Sequence, residues 1–210
     1  MAIKPILFNS EMVRAILDGR KDATRKIVKG FIPDDAVWGY TAFTPKGYIS
    51  CRGTFADGYG EKFFKLPCEP GDILYVRETW KKALNGYYYY EAWQRNDIAD
   101  VTKWKPSIRM PKEAARIWLK VSNVRVERLQ EITDEQAKRE GIQYDECPTG
   151  FTWKQETDMH NCYTTPIGAM QALWNSNIKK SDLDGYGWDA NPWVWTIEFE
   201  RCEKPEEISG

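Results

Sequence analysis

The chain has 210 residues, 42% of them hydrophobic and 29% charged, a balance that suits a globular protein of one elaborated domain or two small ones. Its formal net charge of −1 argues against long nucleic acid held by bulk charge. No apolar run approaches the ~20 residues of a membrane-spanning helix, and Met1-Ala2-Ile3-Lys4-Pro5 lacks the apolar core of a signal peptide, so a cytoplasmic location is expected.

Ile6-Leu7-Phe8 reads as a short strand. Asn9 or Ser10 then offers a helix cap, with Glu11 in the first turn and Met12, Val13, Ile16 and Leu17 forming an apolar stripe. Gly19 is placed to end this helix in the left-handed conformation. The segment that emerges is the most distinctive of the chain. Arg14, Arg20, Lys21, Arg25, Lys26 and Lys29 lie within sixteen positions, against only Asp18 and Asp22. Such a local cluster fits a confined anionic ligand, or simply a solvated basic helix end, with the charges expected to point off the scaffold.

Residues 30–70 are punctuated by Pro and Gly and read as hairpins and loops. Pro70-Gly71-Asp72 turns into the buried strand Ile73–Val76, which ends at Arg77-Glu78-Thr79-Trp80. Tyr87–Tyr90 reads as a strand covered on both faces, and 94–112 as loop. Ile117–Leu129 is a long strand with a break at Ser122-Asn123 that suggests a bulge or turn. Thr133 and Gln136 form a capping box for a short helix that Gly141 stops. A further helix is expected at 166–175, loop at 179–192, and a final alternating strand at 193–199. Strands punctuated by three short helices indicate an α+β domain on a small, closed or nearly closed barrel.

Five cysteines without a Cys-x-x-Cys pair fit reduced thiols. His160 and Cys162, with Cys147 upstream, match no usual structural zinc spacing. No metal and no cofactor are expected. Ten Trp, eleven Tyr and eight Phe are the compositional outlier, serving as core or as platforms for stacking bases. Trp80, Tyr88 and Trp104 are the candidate platforms; Trp118, Trp174, Trp193 and Trp195 read as core.

Five pieces in order carry a resemblance: Gly-Arg-Lys-x-x-Thr-Arg (19–25), the Pro-Gly-Asp turn and strand (70–76), the strand 117–126, Thr-x-x-Gln-Ala-x-x-Glu-Gly (133–141) and Trp-x-Ile-x-Phe (195–199). Together they resemble an ASCH domain, a member of the PUA-like superfold. Val-Arg-Glu-Thr-Trp (76–80) and Asn-Pro-Trp-Val-Trp (191–195) are similar to ASCH proteins of tailed phages and prophages. The resemblance implies one PUA-like domain over 1–202, with insertions near 30–66, 81–112 and 143–190 and a flexible tail at 203–210. A bacterial cytoplasm would be its setting.

The ASCH family includes a small amidohydrolase that deacetylates acetylcytidine with a lysine, a threonine three residues on, and a glutamate on a helix. By motif these fall on Lys21, Thr24 and Glu140. Asp22 departs from the Thr common among relatives, and an acid beside Lys21 would favour its charged form. Arg20, Arg25, Glu78 and Trp80 are the expected substrate-binding residues. The functions implied are binding of RNA or a modified nucleoside or nucleotide, acetylcytidine hydrolysis, ribonuclease activity, a non-catalytic reader, or an accessory protein that binds a host protein. A hydrolase needs the amine of Lys21 and the carboxylate of Glu140 to face each other across a hollow.

Overall fold

The computed structural model describes residues 1–84, 86–94, 103–144, 150–152 and 162–206. Its frame is a five-stranded sheet in the order β1 (Ile3–Leu7), β6 (Ile73–Arg77), β9 (Trp118–Arg128), β12 (Trp193–Cys202), β2 (Ala23–Ile27). β1 and β6 run parallel and the other pairs antiparallel. A separate three-stranded sheet holds β3 (Val37–Gly39), β4 (Tyr48–Phe55) and β5 (Gly58–Lys65). Two-stranded ribbons pair β7 (Trp80–Ala83) with β8 (Gly86–Tyr89), and β10 (Gln143–Tyr144) with β11 (Phe151–Thr152). The molecule is thus mixed α+β and mostly strand.

The sheets do not close into the expected barrel. Among the described residues, β1 and β2 are the two edges of the main sheet, joined by α1 (Ser10–Leu17) and not by a ladder. α1 forms where the sequence places it: the Asn9 side chain accepts from the Met12 N–H at 2.9 Å, and Gly19 stops the helix at φ +74°. The basic segment after Gly19 does not point off the scaffold. The Arg20 and Lys21 N–H groups both donate to Ala15 O, at 2.8 and 3.0 Å, which folds the chain back under its own helix. Lys21 and Arg25 are consequently buried.

The long strand β9 runs unbroken through Ser122. Opposite it, Glu198 pairs with Asn123 and Phe199 with Val121, so Ser122 is the extra residue of a bulge. Gly86–Tyr89 is half-buried rather than covered on both faces, and Tyr90 already begins α2 (Tyr90–Gln94). Among its described residues, the expected loop at 94–112 holds a single 3-10 turn at Ser107–Arg109 and runs into another at Lys112–Ala114. α3 (Asp134–Arg139) has its full capping box, and α4 (Pro166–Ser176) is capped by Thr165. The expected loop at 179–192 holds a further turn at Lys180–Asp182 and a short α5 (Leu183–Tyr186).

Three apolar clusters hold these elements. The main one packs Val13 and Ile16 of α1 against Ile6, Val76, Leu119 and Trp195 of the sheet. A second joins α3 and α4 to the sheet's other face through Ala137, Met170, Leu173, Trp174 and Val194. A third seats the β7–β8 ribbon, with Trp80 against Met110 and Trp118. Cys51, Cys68 and Cys202 are free, but Cys162 is disulfide-bonded, which departs from the expected five thiols. Burial pushes the Cys51 and Cys68 thiols up to about 11, so both stay protonated. No described helix is long and apolar enough to cross a membrane.

Candidate functional site: a cleft at the open edge of the main sheet

The gap where the barrel fails to close is a cleft. One lobe of about 340 Å³ lies between β2 and α4, walled by Met12, Ile27, Met170, Leu173, Trp174 and Ile178. A second of about 350 Å³ lies between β2 and the end of β1, lined by Leu7, Phe8 and Asn9 with Thr79 and Ser107. The lobes meet at Met12, Thr24, Arg25, Lys26 and Asn177.

Strand geometry explains why β2 presents so much chemistry here. The Val28 N–H donates to Trp193 O, and the Phe199 N–H to Asp22 O, both at 2.9 Å. Pairs 28/193 and 22/199 are therefore hydrogen-bonded, and alternation directs the peptide groups of Thr24 and Lys26 at β12. Those of Ala23, Arg25 and Ile27 turn to the open edge. Side chains alternate too: Thr24 and Lys26 share the face of Ile197 and Trp195, while Arg25 shares that of Thr196.

Lys21 and Glu140, expected to face each other across a hollow, are in direct contact. The Lys21 Nζ donates to Glu140 Oε2 at 2.7 Å, Glu140 O at 3.0 Å and Ala23 O at 2.7 Å. Its side chain is fully buried and lines neither lobe. An ammonium has three N–H donors, and all three are used. Lys21 thus acts as a bolt between the open edge of β2 and the C-cap of α3. It has neither a spare proton nor a lone pair to offer a ligand.

Glu140 is fixed from both sides. Its Oε1 accepts from Arg25 Nη1 at 3.0 Å, and it lines the apolar lobe. Arg25 in turn reaches Glu127 Oε1 at 2.6 Å and Gln136 Oε1 at 3.2 Å, leaving its buried Nε without a partner. A chain of alternating charges continues outward through Arg125, Glu198 and Arg139 to Asp22. Asp22 therefore pairs with Arg139, at 2.8 Å, and not with its neighbour Lys21. Desolvation would push the Glu127 carboxyl up. The Thr196 hydroxyl and the guanidinium groups of Arg25 and Arg125 outweigh it and hold the group below the usual carboxylate range.

Thr24 completes the cluster. It is 4% exposed and lines both lobes, and its hydroxyl has no hydrogen-bond partner among the described residues. The structure thus brings Lys21, Thr24, Arg25 and Glu140 to one place.

The other expected binding residues lie elsewhere. Arg20 donates to Gly141 O at 2.9 Å and pairs with Asp18, tying α1 to the end of α3. Glu78 is 2% exposed and takes two 2.8 Å bonds from Arg116, whose guanidinium also reaches Glu91. Desolvation, together with Glu91, keeps the Glu78 carboxyl above its usual range despite Arg116. Trp80 is buried against Tyr87, with Lys105 Nζ 4.9 Å from its ring centroid. Neither Glu78 nor Trp80 lines a lobe; they anchor the β7–β8 ribbon. Of the other candidate platforms, Tyr88 stands opposite Lys81 in that ribbon and Trp104 packs edge-on to Tyr90.

Sequence reasoning named Lys26 as one of the basic cluster and Asn9 as a helix cap, and it passed over Asn177 and Ser107. It assigned Trp174 to the core, which is correct, yet that residue also walls the cleft. Nothing in the local sequence marks Asn177 or Ser107, because only the fold brings them to β2. His160 and Cys147 lie outside the described residues, and no metal-holding group of His, Cys, Asp or Glu occurs among the described ones. Compared with models of known families, with curated proteins and with solved structures, the chain matches none.

Proposed function

We propose that this protein is an ASCH-type, PUA-like module whose cleft receives a nucleobase, presented by RNA or by a free modified nucleoside or nucleotide. One observation carries the reading. A carboxylate locked by two buried cations, Glu140 between Lys21 and Arg25, stands beside the unpaired Thr24 hydroxyl on an apolar wall. A base has apolar faces and a hydrogen-bonding edge, and this site has the complementary parts. Trp174, Met170 and Leu173 cover the faces. Glu140 accepts from an exocyclic amine, and Thr24 donates or accepts beside it.

The catalytic form of the same reading is hydrolysis of acetylated cytidine to cytidine and acetate. There the Thr24 hydroxyl would be the nucleophile, Glu140 the proton shuttle, and Lys21 the residue that positions Glu140. A non-catalytic reader is the second reading, and Lys21 favours it: an ammonium with every donor engaged does not accept a proton from Thr24.

Calorimetric titration with the common nucleosides, acetylcytidine and short single-stranded RNAs, with product analysis on the same samples, tests both. Binding of at least one nucleoside or RNA, weakened about tenfold or more by Glu140→Gln, is expected. No binding by any of them defeats the proposal. Acetate release that disappears in Thr24→Ala selects the hydrolase; binding without release selects the reader.

A further inference from the structure

The lobe between β1 and β2 has a character that a nucleobase pocket does not explain. Thr24 and Lys26 enter it from one face of β2, Asn9 from the start of α1, and Thr79 and Ser107 from the opposite wall. Among the described residues, the Lys26 Nζ, the Asn9 Nδ2 and the hydroxyls of Thr24, Thr79 and Ser107 have no hydrogen-bond partner. No carboxylate occurs among the described residues that line this lobe. The Asn9 side-chain oxygen caps the Met12 N–H, which leaves its Nδ2 as the free donor of that side chain.

Unpaired donors facing one hollow, with a cation and without an acid, suit an anion with several acceptor oxygens. Lys26 adds weight. It forms no ion pair among the described residues, and desolvation lowers its pKa against a smaller opposing effect of Cys68. A cation is being held partly away from water with no counter-charge supplied by the described residues.

We propose that this lobe is a phosphate subsite, so that the ligand of the cleft is a nucleotide and not a free nucleoside. The inference rests on the nucleobase reading of the adjoining lobe. The base lies against Trp174, the sugar crosses the open edge of β2 at Thr24, and the phosphate sits between Lys26, the start of α1 and Ser107. Arg25 lines both lobes and so borders the waist between them.

The test is a ratio. Dissociation constants are measured by calorimetry for cytidine, cytidine 5′-monophosphate and the dinucleotide CpC, with the wild type and with Lys26→Gln, Thr79→Val and Ser107→Ala. The wild type is expected to bind at least one phosphorylated probe about tenfold or more tightly than cytidine. Lys26→Gln should all but abolish that advantage, and Ser107→Ala or Thr79→Val should reduce it about threefold. CMP and CpC distinguish a terminal phosphate from one within a chain, and a gain for either supports the subsite. Should Lys26→Gln fail to fold by circular dichroism, the two wall variants carry the test. Equal affinity for cytidine and both phosphorylated probes overturns the phosphate subsite and leaves the base pocket standing. An advantage untouched by all three variants overturns it too. Failure of all three probes to bind overturns the nucleobase reading and this inference together.

Discussion

At the scale of single residues, Lys21 shows how burial reassigns a role. The motif Lys-x-x-Thr invites a general base, whereas the structure gives a cation saturated by two carbonyls and a carboxylate. Removing Lys21 leaves the buried Glu140 carboxylate with one of its two cations, Arg25, at a cost bounded from above by the about 3–5 kcal/mol of a fully stranded buried charge. Lys21→Met should therefore lower the free energy of urea unfolding by up to about that amount. The double variant Lys21→Met/Glu140→Leu should recover part of the loss, since the under-compensated carboxylate is then gone while Arg25 keeps Glu127. Equal stability of Lys21→Met and wild type would show that the bolt holds nothing. Thr24→Val should leave unfolding nearly unchanged, because its hydroxyl has no partner among the described residues to lose.

At the scale of elements, the site depends on two short helices meeting end to end. Gly141 ends α3 at φ +103°, and a Cβ built there would lie 2.9 Å from the Ala15 Cβ of α1. Gly141→Ala adds both left-handed strain and a clash with the Ala15 methyl, for a cost of roughly 1–3 kcal/mol. It should also weaken any ligand of the cleft, because α1 and α3 cannot part without pulling Glu140 from Lys21. Thermal unfolding and ligand titration on the same sample check the two effects together. The sequence made both helices legible, since Asn9, Thr133, Gly19 and Gly141 are local signals whose meaning needs no distant partner. It did not show that Arg20 and Lys21 fold back to Ala15, because that depends on where α3 docks.

At the scale of the whole molecule, strand order and closure were the least legible. The bulge at Ser122 was readable from a local break in pattern, but the open edges of β1 and β2 are set by pairing between residues far apart in sequence. The convergence of Thr24 and Glu140 was legible only through the five ordered motifs. Glu78 and Trp80 looked like site residues because polarity changes abruptly at a strand end, a pattern that an anchored ribbon also produces. The charge chain across the sheet gives a pH dependence. Desolvation opposes ionisation of Glu127 and Glu198, but the Thr196 hydroxyl at Glu127 and the arginine partners of both prevail and keep both carboxyls below the ordinary glutamate value of 4.5. Their stabilisation is thus fully present above about pH 4.5 and is lost as pH falls through the lower folded values. Urea midpoints should fall between about pH 5 and pH 3, and less so in Arg125→Met. Among the described residues, β2 pairs with one strand, β12, with Ile27 opposite Val194. During synthesis, Thr24–Ile27 leave the ribosome well before β12 and must wait for it before they have a ladder to join. Nascent chains stalled before residue 193 should accordingly leave Thr24–Ile27 open to proteolysis, and chains stalled well beyond residue 202 should protect it.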